Sequence, residues 1–149
     1  MFSVELGKAS LGFCAAHFLV AHDKCSRMHG HNYKVRVAVQ GEMDEGGMVV
    51  DFGYLKERTL EICRELDGRV IVAGKSSQIK CNVRDEEMEI ALPDREYILP
   101  LDDLVVLPIP ACTAEALARY FHERLSESVQ GLAYVEIEEG PGSAARYSR

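Results

Sequence analysis

A chain of 149 residues is long enough for one domain with a rigid pocket, burying roughly two-thirds of the surface its unfolded form exposes. A formal charge of -7 argues against general nucleic-acid binding, which rests on basic neutralisation of phosphates. No apolar run approaches the roughly 18 residues of a membrane span and no basic-then-apolar leader is visible, and the five cysteines (Cys14, Cys25, Cys63, Cys81, Cys112) form an odd, unpaired set, so a soluble protein of the reducing cytoplasm is expected.

In chain order, Met1–Leu6 and Leu11–Leu19 suit strands, and Tyr33–Val39, reading Y-K-V-R-V-A-V, is apolar at every second residue, the period of a half-buried strand. Gly41–Gly47 is an acidic turn. Asp51 then stands at the N-cap of a helix that carries Phe52, Leu55, Leu60, Ile62, Cys63 and Leu66 mostly on one face and stops near Asp67-Gly68. Strands return at Arg69–Ala73, Gln78–Val83, Met88–Ala91 and Glu96–Pro100, separated by the turn signals Gly74, Arg84-Asp85 and Pro93-Asp94. Thr113 caps a second helix with Ala114, Leu117, Ala118, Phe121 and Leu125 at helical spacing and Glu115 in the first turn, where the dipole favours a carboxylate. His122 is expected at its surface or boundary. Ala133–Ile137 is a last strand. Strands in meanders beside two helices make the class α+β with an antiparallel sheet. A single domain over residues 1–149, with added hairpin material around 70–110, is expected.

Chemistry concentrates in A-H-D-K-C-S-R-M-H-G-H-N-Y, residues 21–33. His29 and His31 are two apart, so on a strand both rings project from one face and reach one ion. His17, on the preceding strand, supplies a third imidazole if the two strands pair. Three neutral imidazoles with an open fourth position suit a catalytic Zn²⁺. The same spacing also fits a core His17 with two loop histidines. Cys25 lies four residues before His29, between Lys24 and Arg27. There a lowered thiol pKa would make it a base or nucleophile, with a fourth zinc ligand or an inert loop thiol as the alternatives. The other four cysteines sit in apolar runs and read as core fillers.

The stretches F-C-A-A-H-F-L, C-S-R-M-H-G-H-N-Y-K-V-R-V, G-M-V-V-D-F-G-Y-L-K, E-L-D-G, C-T-A-E-A-L-A-R-Y-F and V-E-I-E-E-G, in that order over nearly the whole chain, resemble the 6-pyruvoyl-tetrahydropterin and 6-carboxytetrahydropterin synthase family of the tunnelling-fold group. C-x-x-x-H-G-H is similar to the carboxytetrahydropterin synthase variant. The resemblance implies a four-stranded antiparallel sheet with two helices on one face, three subunits closing a barrel, and two trimers stacked as a homohexamer with pockets at subunit interfaces. It implies Zn²⁺ on His17, His29 and His31, Cys25 as proton shuttle, Glu139 as pterin anchor, and Thr113 and Glu115 as secondary substrate contacts. The implied reaction is on 7,8-dihydroneopterin triphosphate, by triphosphate elimination or by side-chain cleavage to a 6-carboxy-pterin. Lys24, Arg27, Lys34 and Arg36 are the basic residues near enough in sequence to hold the triphosphate.

One departure bears on the chemistry. The family follows the Leu-Asp at the end of the first helix with histidine, completing a Cys-Asp-His relay between subunits, whereas this chain reads Leu66-Asp67-Gly68. Asp67 stays a catalytic candidate, and His22, three residues before Cys25, is the candidate substitute for the histidine. The gap keeps two other readings open: an aldolase-like cleavage of unphosphorylated dihydroneopterin, and a non-catalytic pterin- or purine-binding oligomer.

Overall fold

The computed structural model describes residues 1–149 apart from Ala21 and the side chain of Lys8. The elements run β1 (Phe2–His17), β2 (His29–Gly41), α1 (Phe52–Leu66), β3 (Arg69–Ala73), β4 (Lys80–Arg84), β5 (Glu87–Ala91), β6 (Glu96–Pro100), β7 (Leu104–Leu107), α2 (Ala114–Ser126), β8 (Leu132–Gly140) and β9 (Ser143–Tyr147). A six-stranded sheet has the order β7-β3-β1-β2-β8-β9, and β4-β5-β6 form a second, smaller sheet. The expected four antiparallel strands are β1, β2, β8 and β9. The sheet is nonetheless mixed, because β3 joins β1 in parallel and β7 joins β3 in parallel. Of the 70–110 stretch, therefore, only the middle forms the separate antiparallel sheet.

Two expected strands proved to be one. β1 runs without a break from Phe2 to His17, absorbing the polar centre in a register shift between Gly7 and Gly12 opposite β2, the extra-residue device by which antiparallel strands twist and re-aim side chains. Beyond it Phe13 faces Tyr33, Ala15 faces His31 and His17 faces His29. The face that alternation selects, Leu11, Phe13, Ala15 and His17 on β1 with Tyr33, Val35 and Val37 on β2, is buried. It carries stacked Phe13–Tyr33 and Phe13–Phe121 rings, and α1 and α2 contribute Leu55, Leu66, Leu117 and Phe121 to the same core.

Both helices are capped as their sequence dictates: Asp51 Oδ1 accepts from the Tyr54 amide at 2.7 Å and Thr113 Oγ1 from the Ala116 amide at 3.2 Å. α1 ends at Gly68, whose φ of +73° is the left-handed conformation that glycine adopts most readily after a helix. Arg124 of α2 makes two bonds to the Glu65 carboxylate of α1, at 2.8 and 2.9 Å, and these tie the helix ends together.

The structure departs from the sequence pattern at Phe52, Cys14, Cys81 and His122. Phe52 is 55% exposed, and the α1 core face uses Thr59 in addition to the expected leucines, its hydroxyl donating to the Leu55 carbonyl at 2.8 Å. Cys14 and Cys81 are exposed, on the outward face of β1 and on the exposed strand β4, while Cys63 and Cys112 are buried. His122 is buried at 2% exposure, because the Ala118, Phe121, Leu125 stripe is wide enough to include it. Burial and then the charge of Arg149 hold its pKa below the ordinary 6.5.

A histidine whose folded pKa is depressed takes up a proton more readily in the unfolded chain, so the folded state loses stability as pH falls through about 6.5. Thermal melts of the metal-free protein between pH 7.5 and 5.5 are expected to show this decline, bounded by about 1.4 kcal/mol per pH unit for a one-proton difference. His122→Phe is expected to flatten the slope.

Candidate metal centre

The β1–β2 pairing places His17 opposite His29 and Ala15 opposite His31, and the two-residue period puts all three rings on the helix-facing side at the end of the ribbon. His17 Nε2 lies 3.1 Å from His29 Nε2 and 3.1 Å from His31 Nε2. A carboxylate joins them from β8: Glu139 Oε1 is 2.9 Å from His31 Nε2 and 3.3 Å from His17 Nε2. One ligand atom from each of the four lies within 4.8 Å of every other. Glu138 and Glu139 diverge as alternation requires, Glu138 standing opposite Lys34 in the strand register.

Outer contacts decide which nitrogens face inward. His17 Nδ1 is 2.7 Å from the Cys112 carbonyl and His29 Nδ1 is 2.6 Å from the Arg27 carbonyl. A carbonyl oxygen only accepts, so each Nδ1 carries the hydrogen and donates it, and in the neutral ring each Nε2 keeps its lone pair. The Tyr33 hydroxyl lies 3.3 Å from His17 Nδ1, and burial pushes its pKa well above the ordinary range, so it stays protonated. Burial first, with the neighbouring His29 and His31 rings adding to it, holds the His17 pKa down against the opposing pull of the Cys112 carbonyl and Glu139, which keeps the ring neutral and able to ligate. The lone pairs of His17 Nε2 and His29 Nε2 thus face each other with the Glu139 carboxylate beside them, and one cation serves these acceptors together. The donor set of imidazole nitrogens and a carboxylate oxygen fits a divalent ion of the zinc class.

The other expected residues fall into separate groups. Cys25 is half-buried on the turn between β1 and β2, and its sulfur is outside the four-residue cluster. His22 meets Cys25 through the backbone, the Cys25 amide donating to His22 Nδ1 at 3.3 Å. Asp67 accepts from the Cys14 amide at 2.8 Å and lines a hollow with Gly12, Asn32 and Lys34. That set shares no residue with the cavities beside His22. Thr113 borders one of these, a cavity of about 280 Å³ that also touches Phe18, His22 and Cys112, while Glu115 is exposed in the first turn of α2. Lys34 and Arg36 stand opposite Glu138 and Glu136 in the β2–β8 register, so both face acidic residues across the sheet.

Sequence reasoning missed the outer contacts of the cluster. Tyr33 had a usable signal, since His29, His31 and Tyr33 follow one another at two-residue spacing, but the carbonyls of Cys112 and Arg27 have none. It also missed Arg95, which reaches from the turn after β5 to the Ser26 carbonyl at 3.3 Å, and Tyr97 of β6, which stacks on Phe18 at 5.2 Å. The small sheet thereby braces the residue after His17 and the residue after Cys25.

A family model described as 6-pyruvoyl tetrahydropterin synthase matches residues 8–149. The chain belongs to this family. A Methanocaldococcus jannaschii relative is 34% identical over 149 residues, 95% of this chain and 91% of its own. The 6-carboxy-5,6,7,8-tetrahydropterin synthase of Synechocystis sp. is 34% identical over 142 residues, 91% of this chain and 86% of its own. The solved 6-pyruvoyl tetrahydropterin synthase of Plasmodium falciparum superposes with a TM-score of 0.89 at 29% identity over 99% of this chain and 97% of its own. This tetrahydropterin synthase homologue is thus an α+β enzyme of the lyase type with a pterin chemistry. Among its described residues no helix is long and apolar enough to cross a membrane.

Proposed function

We propose that the protein is a zinc-dependent lyase of the 6-carboxytetrahydropterin synthase type that acts on 7,8-dihydroneopterin triphosphate, by side-chain cleavage or triphosphate elimination. The observation that carries this reading is the convergence of His17, His29 and His31 with two tautomers set by backbone carbonyls. The C-x-x-x-H-G-H spacing and the Synechocystis relative support the carboxytetrahydropterin type. A zinc ion held by the three imidazoles would supply Lewis-acid polarisation of the substrate's side-chain oxygens, acidifying the neighbouring C–H and O–H bonds.

The residues divide the remaining work. Cys25 takes a proton from the side chain and returns it. Its loop is held by the Leu19 amide donating to the Cys25 carbonyl at 2.8 Å, by the bond from its own amide to His22, and by Arg95 at Ser26. Glu139 accepts two N–H bonds from the amino-pyrimidine edge of the pterin, the bidentate geometry carboxylates also give guanidinium. Thr113 and Glu115 serve as secondary substrate contacts, the Thr113 hydroxyl already accepting from the Ala116 amide. Asp67 serves a neighbouring subunit's cysteine in a homohexamer built as a dimer of trimers. That assembly is supported by the exposed edges β7 and β9 of the main sheet, which barrel closure would pair. The chain is one pterin synthase-like domain with the small sheet as its insertion, and works in the cytoplasm, in keeping with five unpaired cysteines.

The test is incubation of the zinc-loaded protein with 7,8-dihydroneopterin triphosphate, following pterin mass, triphosphate and acetaldehyde. Formation of a 6-carboxy-pterin with acetaldehyde and triphosphate, or release of triphosphate with a pyruvoyl-type product and no acetaldehyde, supports the reading. Gly68 in place of the relay histidine favours one competitor. Turnover confined to unphosphorylated dihydroneopterin would establish an aldolase-like reaction instead, and binding without turnover would remove the lyase assignment. In the same assay Arg95→Ala is expected to lower kcat about 10-fold, the order of cost of a small misplacement near the reacting groups. Zinc affinity should be unchanged and Arg95→Lys should recover part of the rate; an unaltered kcat in Arg95→Ala would show that the small sheet does not position the Cys25 loop.

A further inference from the structure

We propose that His122 is a proton-operated latch for the C-terminal strand: as a neutral ring it fastens β9 to α2, and on taking up a proton it lets β9 go while the rest of the sheet stays folded. The inference depends neither on the metal centre nor on the reaction.

The first support is the position of the ring. His122 is 2% exposed on the face of α2 that packs on β8 and β9, with the Tyr147 ring edge-on to it at 5.2 Å between centroids. β9 is five residues long, and of these Ala145 and Tyr147 are half-buried. Tyr147 is therefore the larger of its two apolar anchors, and its contact with α2 runs through His122 and through the Arg119 guanidinium, 5.9 Å from the ring centroid.

The second support is hydrogen bonding. Ser126 Oγ donates to the His122 carbonyl at 2.6 Å, so toward His122 Nδ1, at 3.3 Å, it can only accept. The neutral ring thus carries its hydrogen on Nδ1, and Nε2 is left buried with no hydrogen-bond partner. A proton added at Nε2 makes a buried cation whose new N–H has no acceptor in bonding geometry, which costs far more than a bare lone pair in the same place.

The third support is the charge around the ring. Facing it are Ser126 and Glu123 from α2, the Leu132 carbonyl from the start of β8, and Tyr147 with Arg149 from β9 and the chain end. Burial and then Arg149 resist the proton, and the Leu132 carbonyl and Glu123 offset them only in part; Glu123 is itself paired with Arg119 at 2.8 Å. Departure of β9 admits water to the ring and takes Arg149 away from it, so the released form binds the proton better. Release is then favoured progressively as pH falls below about 6.5, by up to about 10-fold in its equilibrium constant per pH unit for one proton. It leaves β8 as the edge of the main sheet with unpaired backbone groups. On the opposite face Arg146 holds β9 through Glu136 at 2.9 Å and over the Tyr134 ring at 3.8 Å, contacts that do not involve His122, so replacing that one ring isolates its part.

The experiment is hydrogen exchange read by mass spectrometry on the full-length protein from pH 7.5 to 5.0, with labelling times scaled to the intrinsic pH dependence of exchange. It is run on zinc-loaded and on metal-free protein, for the wild type and His122→Phe. Expected in the wild type is a loss of protection in Ser143–Tyr147 relative to β2, approaching 10-fold per pH unit below about 6.5, in both metal states, and no such loss in His122→Phe. A constant ratio of β9 to β2 protection across the range would overturn the latch, as would an equal loss in wild type and variant. A loss seen only in the zinc-loaded protein would trace it to the metal-binding histidines and overturn the latch as well. The chain has no tryptophan, so Tyr147→Trp, with His122 retained, gives a single reporter on β9 that does not need His122→Phe to fold. Its emission is expected to shift to the red below about pH 6.5, and an emission maximum that stays fixed down to pH 5.0 would contradict release.

Discussion

Replacing His17 by alanine is expected to abolish retention of zinc. Loss of a ligand exceeds in cost the changes to outer contacts that already weaken metal sites by 10- to 100-fold, so affinity should fall by more than about 100-fold and turnover with it. His17 is the residue on which the others depend, because its Nε2 lies within 3.3 Å of His29, His31 and Glu139 alike. It is also buried, and removing the ring leaves a void beside Tyr33 and Cys112. His29→Ala is therefore the cleaner companion, since that ring is only half-buried. Chelator competition and metal content, with circular dichroism as the folding control, check both. Retention of one zinc per chain at unchanged affinity in His29→Ala would exclude that ring from the centre.

Cys25→Ala is expected to reduce turnover by about 10²- to 10⁴-fold, the contribution of a positioned acid-base group, with zinc content and pterin binding preserved. Among the five cysteines it is set apart by its surroundings. Burial pushes the Cys63 and Cys112 thiols up to about 12, so neither supplies a thiolate at neutral pH. Cys14 lies exposed on β1, and Cys81 on β4 in the small sheet, so Cys14→Ala and Cys81→Ala should leave the rate within a factor of about two. Steady-state rates for the three variants check this. Equal losses in Cys25→Ala and Cys81→Ala would point to a general effect on the fold in place of a proton shuttle.

The parts of the architecture that were legible in the sequence are those set by local rules. Asp51 and Thr113 announced both helices through capping, and the Y-K-V-R-V-A-V alternation announced β2, because each signal is contained within a few residues. What escaped depends on partners distant in the chain. β7 has four residues and β9 reads S-A-A-R-Y, too short or too polar to stand out, and each exists because a neighbouring strand offers unpaired backbone groups. The parallel β1–β3 and β3–β7 pairings follow from where the chain crosses, which periodicity does not encode.

The site divides along the same line. His29-Gly30-His31 was readable as a two-residue pair, and His17 joined it once the β1–β2 register was known, a register that hinges on the shift between Gly7 and Gly12. The carbonyls of Cys112 and Arg27 that fix the tautomers are backbone atoms and leave no mark in side-chain identity. Glu139 could be placed in a pterin pocket by resemblance. Its approach to the histidines follows from a strand irregularity at that residue. Gly68, where the family has histidine, adopts φ +73° with nothing within 4 Å of a built Cβ, so the helix ending accounts for its backbone preference and leaves the lost proton carrier to be supplied elsewhere.

The most direct measurement is anomalous diffraction at the zinc edge from crystals of the zinc-loaded protein. Expected is one peak per chain, about 2.0–2.1 Å from Nε2 of His17, His29 and His31. A peak elsewhere, or three rings turned away from a common point in protein that has been offered ample zinc, would contradict the metal centre and the lyase chemistry built on it.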